Sequence, residues 1–194
     1  MRDVAERFAE VGYSALAPDF FHGKHVGDVD TASELMLALT EKDVTDVFRE
    51  VWGYLSKEPT VEWGKAGVVG FGMGGAIALY VASVYPEVVG ACVTFYGIHP
   101  NIVPVWSSLK APVLAFFGGQ DGVISEQTRK DFARRLQHHG VPYQEVVYPM
   151  AEHGFFNDDR PEVYDAEASA DAWARLLKFL TLHLDWREVP AGEL

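Results

Sequence analysis

The chain has 194 residues, 48% hydrophobic and 23% charged, with a formal net charge of −12. The apolar content excludes intrinsic disorder, and a lone cysteine, Cys92, excludes a disulfide framework. The acidic balance leaves no basic stripe to displace counterions from nucleic-acid phosphates, and no run of about 18 apolar residues marks a membrane span.

In chain order, residues 2–11 read as a helix, with Val4, Phe8 and Val11 on one face and Gly12 at its stop. Tyr13 to Ala17 reads as a short strand ended by Pro18-Asp19. A polar loop over 22–30 holds His22 and His25, and a long helix is expected over 32–57. Ala66 to Phe71 is an apolar strand, followed by a glycine turn and a helix over 74–85 that Pro86 stops. Further strands are expected at Val88 to Tyr96 and Pro112 to Phe117, the second running into the turn Gly118 to Gly122. Residues 125–139 read as a helix with Ser125 as N-cap and Gly140 as stop. Tyr143 to Tyr148 is the last strand, 149–161 a loop, and 163–184 an amphipathic helix carrying Trp173, Leu176, Leu177 and Leu180.

This alternation predicts an α/β fold, a mainly parallel sheet of about five strands with helices on both faces. The length suits a single domain over 1–194. An N-terminus with acids where an export signal would be apolar, together with the single thiol, points to a cytoplasmic location. In such sheets ligands bind beyond the carboxyl ends of the strands. That rule selects loops 19–31, 70–75, 97–101 and 118–124 and the turn at 149–157.

The turn Gly70-Phe71-Gly72-Met73-Gly74-Gly75 admits three readings. Literally it is the dinucleotide fingerprint, but the acid required about 20 residues on is absent, because that strand ends Thr94-Phe95-Tyr96-Gly97. A dinucleotide-binding oxidoreductase is therefore a distant alternative, and no cofactor is expected. Alternatively the turn is a nucleophile elbow, with Gly70 and Gly74 as small flanks and position 72 as the pivot. The third reading is a tight turn that uses glycine for positive φ. Downstream, Asp121 follows one strand and His153 follows the last. The order nucleophile, acid, histidine is that of the α/β-hydrolases. Asp121 would orient the imidazole, and His153 would take a proton and return it to the leaving group.

Other residues carry weaker signals. His22-x-x-His25 and the adjacent His138 and His139 lack the converging ligands of a metal site, and none is expected. His22, His25, His99, Phe155, Phe156 and Asn157 fall in the ligand-side loops as candidates to line a substrate, against plain readings as loop residues and core aromatics. Cys92, within an apolar strand, reads as a small core residue.

Several segments together resemble the dienelactone hydrolase family of the α/β-hydrolases, from Arg2 to about Leu184. They are Val11 to Asp19, Gly67 to Gly75, Phe95-Tyr96-Gly97, Gly118 to Asp121, and His153-Gly154-Phe155 with Tyr164, Ala172 and Trp173. The resemblance implies hydrolysis of a small ester or lactone without a cofactor. It implies a nucleophile at position 72, Asp121 and His153 as its partners, and the Met73 backbone N–H as an oxyanion donor. The family nucleophile is cysteine; here Gly72 stands in its place, and the Met73 thioether cannot replace it. Family members have further strands before the first helix of this chain, so the sheet is expected to be N-terminally short. In the family a strand lies between those matching 13–17 and 66–71. Without it those two must pair directly or leave unpaired backbone in a buried sheet. The family archetype grips a substrate carboxylate with arginine, where this chain has Asn157. Three expectations follow: a hydrolase inactive or very weak for want of a nucleophile, a non-catalytic homologue that binds a small ligand or a protein, or slow hydrolysis by a water that His153 activates beside Gly72. The expected partner is a small-molecule ester or lactone, with neither nucleic acid nor membrane.

Overall fold

The computed structural model describes residues 1–24, 27–59, 61, 64–97 and 99–184. The chain divides into two compact units, Met1–Trp63 and Gly64–Leu194.

The first unit holds three helices: α1 (Arg2–Glu10), α2 (Val29–Ala38) and α3 (Glu41–Leu55). Gly12, at φ +93°, lies just beyond α1, where the sequence places its stop. The strand expected at 13–17 is not formed: these residues carry no ladder pairing, and Ser14 to Ala17 are exposed. A strand is stabilised by its neighbour, and apolar composition alone does not supply one. The single helix expected over 32–57 is two. Leu39 and Thr40 adopt extended backbone between them. The Thr40 hydroxyl accepts from the Asp43 N–H at 3.2 Å, and the Asp43 carboxylate accepts from the Thr40 N–H at 2.9 Å. This reciprocal capping box starts a new helix. The apolar spacing, continuous across the break, hides it in the sequence.

The second unit is a four-stranded parallel sheet of β1 (Ala66–Phe71), β2 (Val89–Phe95), β3 (Val113–Gly118) and β4 (Tyr143–Tyr148), in that spatial order. Its helices are α4 (Met73–Val84), α5 (Glu126–His138) and α6 (Ala166–Leu184). The count is four rather than five because 13–17 forms no strand. β2 and β3 are buried along their whole length, which explains their unbroken apolar runs.

Strand register assigns the two faces. Phe71, Phe95 and Phe116 are direct cross-strand partners. Their rings stack at 4.5 Å from Phe71 to Phe95 and 4.5 Å from Phe95 to Phe116, and Tyr148 continues the row 6.4 Å from Phe116. Helix α6 covers this face: Leu180 and Leu184 close over Gly67, and Asp171 accepts from the Tyr148 hydroxyl at 2.7 Å. Residues one step out of phase face the other helices. Thr94 meets Gly75 of α4, and Phe117 and Tyr143 meet Phe132 of α5. Both faces are thereby covered. Each fully buried phenylalanine of the row contributes about 1.5–3 kcal/mol by leaving water. Ser125 caps α5 as read from sequence, accepting from the Thr128 N–H at 3.1 Å. No described helix is long and apolar enough to cross a membrane.

Candidate active site

Between the last residue of β1 and the first of α4 stands one residue, Gly72. It makes the reversal at φ +53°, ψ −122°, a conformation that side chains rarely adopt. Its N–H donates to the Phe95 carbonyl at 2.9 Å, which extends the β1–β2 ladder by one step. The turn is tight enough to exclude a Cβ at Gly70, which would lie 1.9 Å from the Gly74 carbonyl oxygen, and at Gly75, which would lie 2.5 Å from Thr94 Oγ1. A Cβ at Gly74 would meet nothing within 4 Å. The obligatory small residues are thus Gly70 and Gly75, not the Gly70 and Gly74 read from the motif. A Cβ at Gly72 would also meet nothing within 4 Å, so the pivot has room for a side chain that this chain lacks. Met73 opens α4, and first-turn N–H groups have no acceptor inside their own helix. Its N–H is therefore presented at the positive end of the helix dipole.

The acid and the histidine come together because the loops after β3 and β4 are laced by backbone. The Gly119 N–H donates to Tyr148 O at 2.7 Å, the Gln120 N–H to Ala151 O at 2.9 Å and Gln120 Nε2 to Pro149 O at 3.1 Å. Asp121 Oδ2 then lies 2.9 Å from His153 Nδ1. The other carboxylate oxygen accepts from the Val123 N–H at 2.7 Å and the Ile124 N–H at 2.8 Å. The Asp121 side chain is fully buried. Burial pushes its carboxyl up, but the hydrogen bonds from His153, Ile124 and Val123 outweigh it and hold the group below its ordinary value. The His153 side chain is 26% exposed. With Nδ1 engaged, Nε2 is the ring nitrogen left for proton transfer.

Phe155 and Phe156 do not form an open wall. Phe155 is 0% exposed, 5.2 Å from Tyr148, and Phe156 packs on the aromatic row at 5.1 Å from Phe71 and 4.9 Å from Phe95. The Phe155 carbonyl accepts from Ser169 Oγ at 3.0 Å and from the Asp165 N–H at 2.9 Å. The pair packs the histidine loop onto the core. Asn157 is exposed, and its side-chain oxygen accepts from the Asp159 N–H at 3.2 Å within a local turn. His99 is buried, with Nδ1 accepting from the Asn101 and Ile102 N–H groups at 3.0 Å each. It organises the loop after β2. His22 belongs to the first unit and is exposed at φ +52°. His25 lies outside the described residues.

Tyr96 escapes the sequence reading. It is 4% exposed at φ +40°, with its ring 5.0 Å from that of His153 and 5.5 Å from that of Phe155. Burial pushes its phenol up. Nothing in sequence marks an aromatic for positive φ; the available signal is its place at the carboxyl end of a strand. Cys92 is fully buried in mid-strand and burial pushes its thiol up, so it is no stand-in nucleophile. Among the described residues no three His, Cys, Asp or Glu side chains converge as metal ligands. His138 and His139 meet edge to face at the end of α5.

The profile of the dienelactone hydrolase family matches residues 1–184. Protein usf of Aquifex pyrophilus is 30% identical over 188 residues, covering 95% of this chain and 81% of that one. A putative carboxymethylenebutenolidase of Aquifex aeolicus is 28% identical over 188 residues, with 95% and 81% coverage. The crystal structure of a putative dienelactone hydrolase from Klebsiella pneumoniae has a TM-score of 0.84 at 26% identity, covering 94% of this chain and 80% of that one.

Proposed function

The chain belongs to the dienelactone hydrolase family, and from that premise we propose that it is a very weak hydrolase of small esters or lactones, lacking its covalent nucleophile. The observation that carries this reading is the Asp121–His153 pair at 2.9 Å in the same unit as an elbow whose pivot is glycine. The Phe95 carbonyl holds Gly72, and the next residue, Tyr96, packs on His153, so one strand end links the two halves.

No acyl-enzyme forms at Gly72. The substrate carbonyl oxygen takes a hydrogen bond from the Met73 N–H, and a water attacks the carbonyl carbon. His153 Nε2 removes the water proton while Asp121 stabilises the imidazolium. As the tetrahedral intermediate collapses, the carbon–oxygen bond to the leaving alcohol breaks and His153 returns the proton to it. Loss of a covalent nucleophile costs roughly 10⁴–10⁶ in turnover, which sets the expected weakness. Asn157, whose side-chain oxygen serves a local turn, gives no cationic grip, and this supports neutral esters or lactones over carboxylate-bearing ones.

The test is hydrolysis of an activated acetate ester and of a small lactone by the chain and by its Gly72→Cys variant. Cysteine is expected to raise kcat/KM by roughly 10³ or more, and His153→Ala to abolish the gain. Glycine at the pivot also favours a second reading, a non-catalytic homologue that binds a small ligand or a protein. A folded but inert Gly72→Cys variant would overturn the hydrolytic reading in favour of that one.

A further inference from the structure

Phe95 ends β2, Tyr96 follows it, and the two residues touch both halves of the candidate site. The Phe95 carbonyl accepts the Gly72 N–H at 2.9 Å. Its ring lies between Phe71 and Phe116, at 4.5 Å from each, with Phe156 at 4.9 Å. The Tyr96 N–H donates to Phe116 O at 2.8 Å, so the backbone leaving the strand is fixed at that point. Tyr96 then turns to φ +40°, a conformation that costs a non-glycine residue energy and survives where the surroundings impose it. Continued extended backbone would send the ring on with the strand alternation. The turn instead places it against His153, 5.0 Å away and tilted 58°, and edge-on to Phe155 at 71°. One side chain thus packs on both His153 and Phe155.

We propose that Tyr96 is the positioning residue that holds the His153 ring against Asp121 and at a fixed separation from the elbow. It is buried and packs on the imidazole ring. The inference rests on the hydrolytic reading of the Asp121–His153 pair.

The test is nuclear magnetic resonance of the whole chain, following the His153 Nδ1 proton. Its signal is assigned by its loss in Asp121→Asn. Tyr96→Asn removes the ring while keeping a residue that tolerates positive φ. It is expected to speed solvent exchange of that proton by about tenfold, the scale of one lost aromatic pair, whereas Tyr96→Phe keeps the parent rate. In the Gly72→Cys background, Tyr96→Asn is expected to lower kcat about tenfold with KM nearly unchanged, because the substrate contacts remain. Tyr96→Gly, which accepts the same φ, repeats the measurement if the asparagine variant does not fold. A folded ringless variant with the parent's exchange rate and kcat overturns the inference alone. A parent chain without an Asp121-dependent proton signal overturns the hydrolytic reading and the inference with it. If neither ringless variant folds, Tyr96 is a core residue and the positioning role is refuted.

Discussion

At Asp121, burial and hydrogen bonding oppose each other, and hydrogen bonding prevails. The folded carboxyl therefore ionises below the unfolded value of about 3.9. Its contribution to stability is complete above that pH and is lost as pH falls through the lower, folded value. Thermal unfolding of the chain and of Asp121→Asn is expected to show a gap that closes as pH falls below about 4. A gap that widened below about pH 4 would contradict the assignment of charge. Cys92 makes a second residue-scale prediction. Its buried thiol, held protonated, is expected to resist alkylation at pH 8 until the chain unfolds, and then to react at once. Labelling of the native chain at the rate of a free thiol would show that β2 opens locally.

The elbow is specified by close approach, and this sets opposite expectations for neighbouring glycines. Gly70→Ala places a Cβ 1.9 Å from a backbone oxygen that cannot move without unwinding the first turn of α4. A loss of about 3 kcal/mol or more is expected in denaturant unfolding. Gly74→Ala adds a methyl group to open space on a helix and is expected to gain up to about 1 kcal/mol. If both variants lost stability equally, the turn would be under a different constraint. Gly70, Gly72, Asp121 and His153 stand out in the sequence as candidates because each is a residue type with few roles in its place, a turn glycine or a titratable group after a strand. The packing of Gly75, Phe155, Phe156 and Tyr96 is not legible there, since it depends on which side chains the folded sheet brings beside them. Thr40 lies between these cases. The Thr40-x-x-Asp43 pattern is visible, yet unbroken apolar spacing outvotes it. Thr40→Ala is expected to cost about 1 kcal/mol of stability, read from the helical signal on unfolding.

At the scale of the sheet, the positions of β1 to β4 were legible because each shows as a short run rich in apolar residues, bounded by turn residues. The segment at 13–17 has the same local signature and forms no strand, since pairing is a property of two segments and not of one. The same point ranks the strands that do form. β2 and β3 have a hydrogen-bonded neighbour on each side and are buried throughout. β4 pairs with β3 alone among the described residues, and its Gln144 and Glu145 are exposed. Amide exchange that requires the sheet to open therefore has the highest barrier over Val89–Phe95 and Val113–Gly118. Hydrogen–deuterium exchange read by mass spectrometry is expected to be slowest there, and faster by about tenfold or more over Tyr143–Tyr148. Equal protection across the strands would mean that the sheet opens only with global unfolding. Faster exchange in β2 than in β4 would place the weak point at Phe95 and Tyr96, the strand end on which the elbow and the histidine loop both depend.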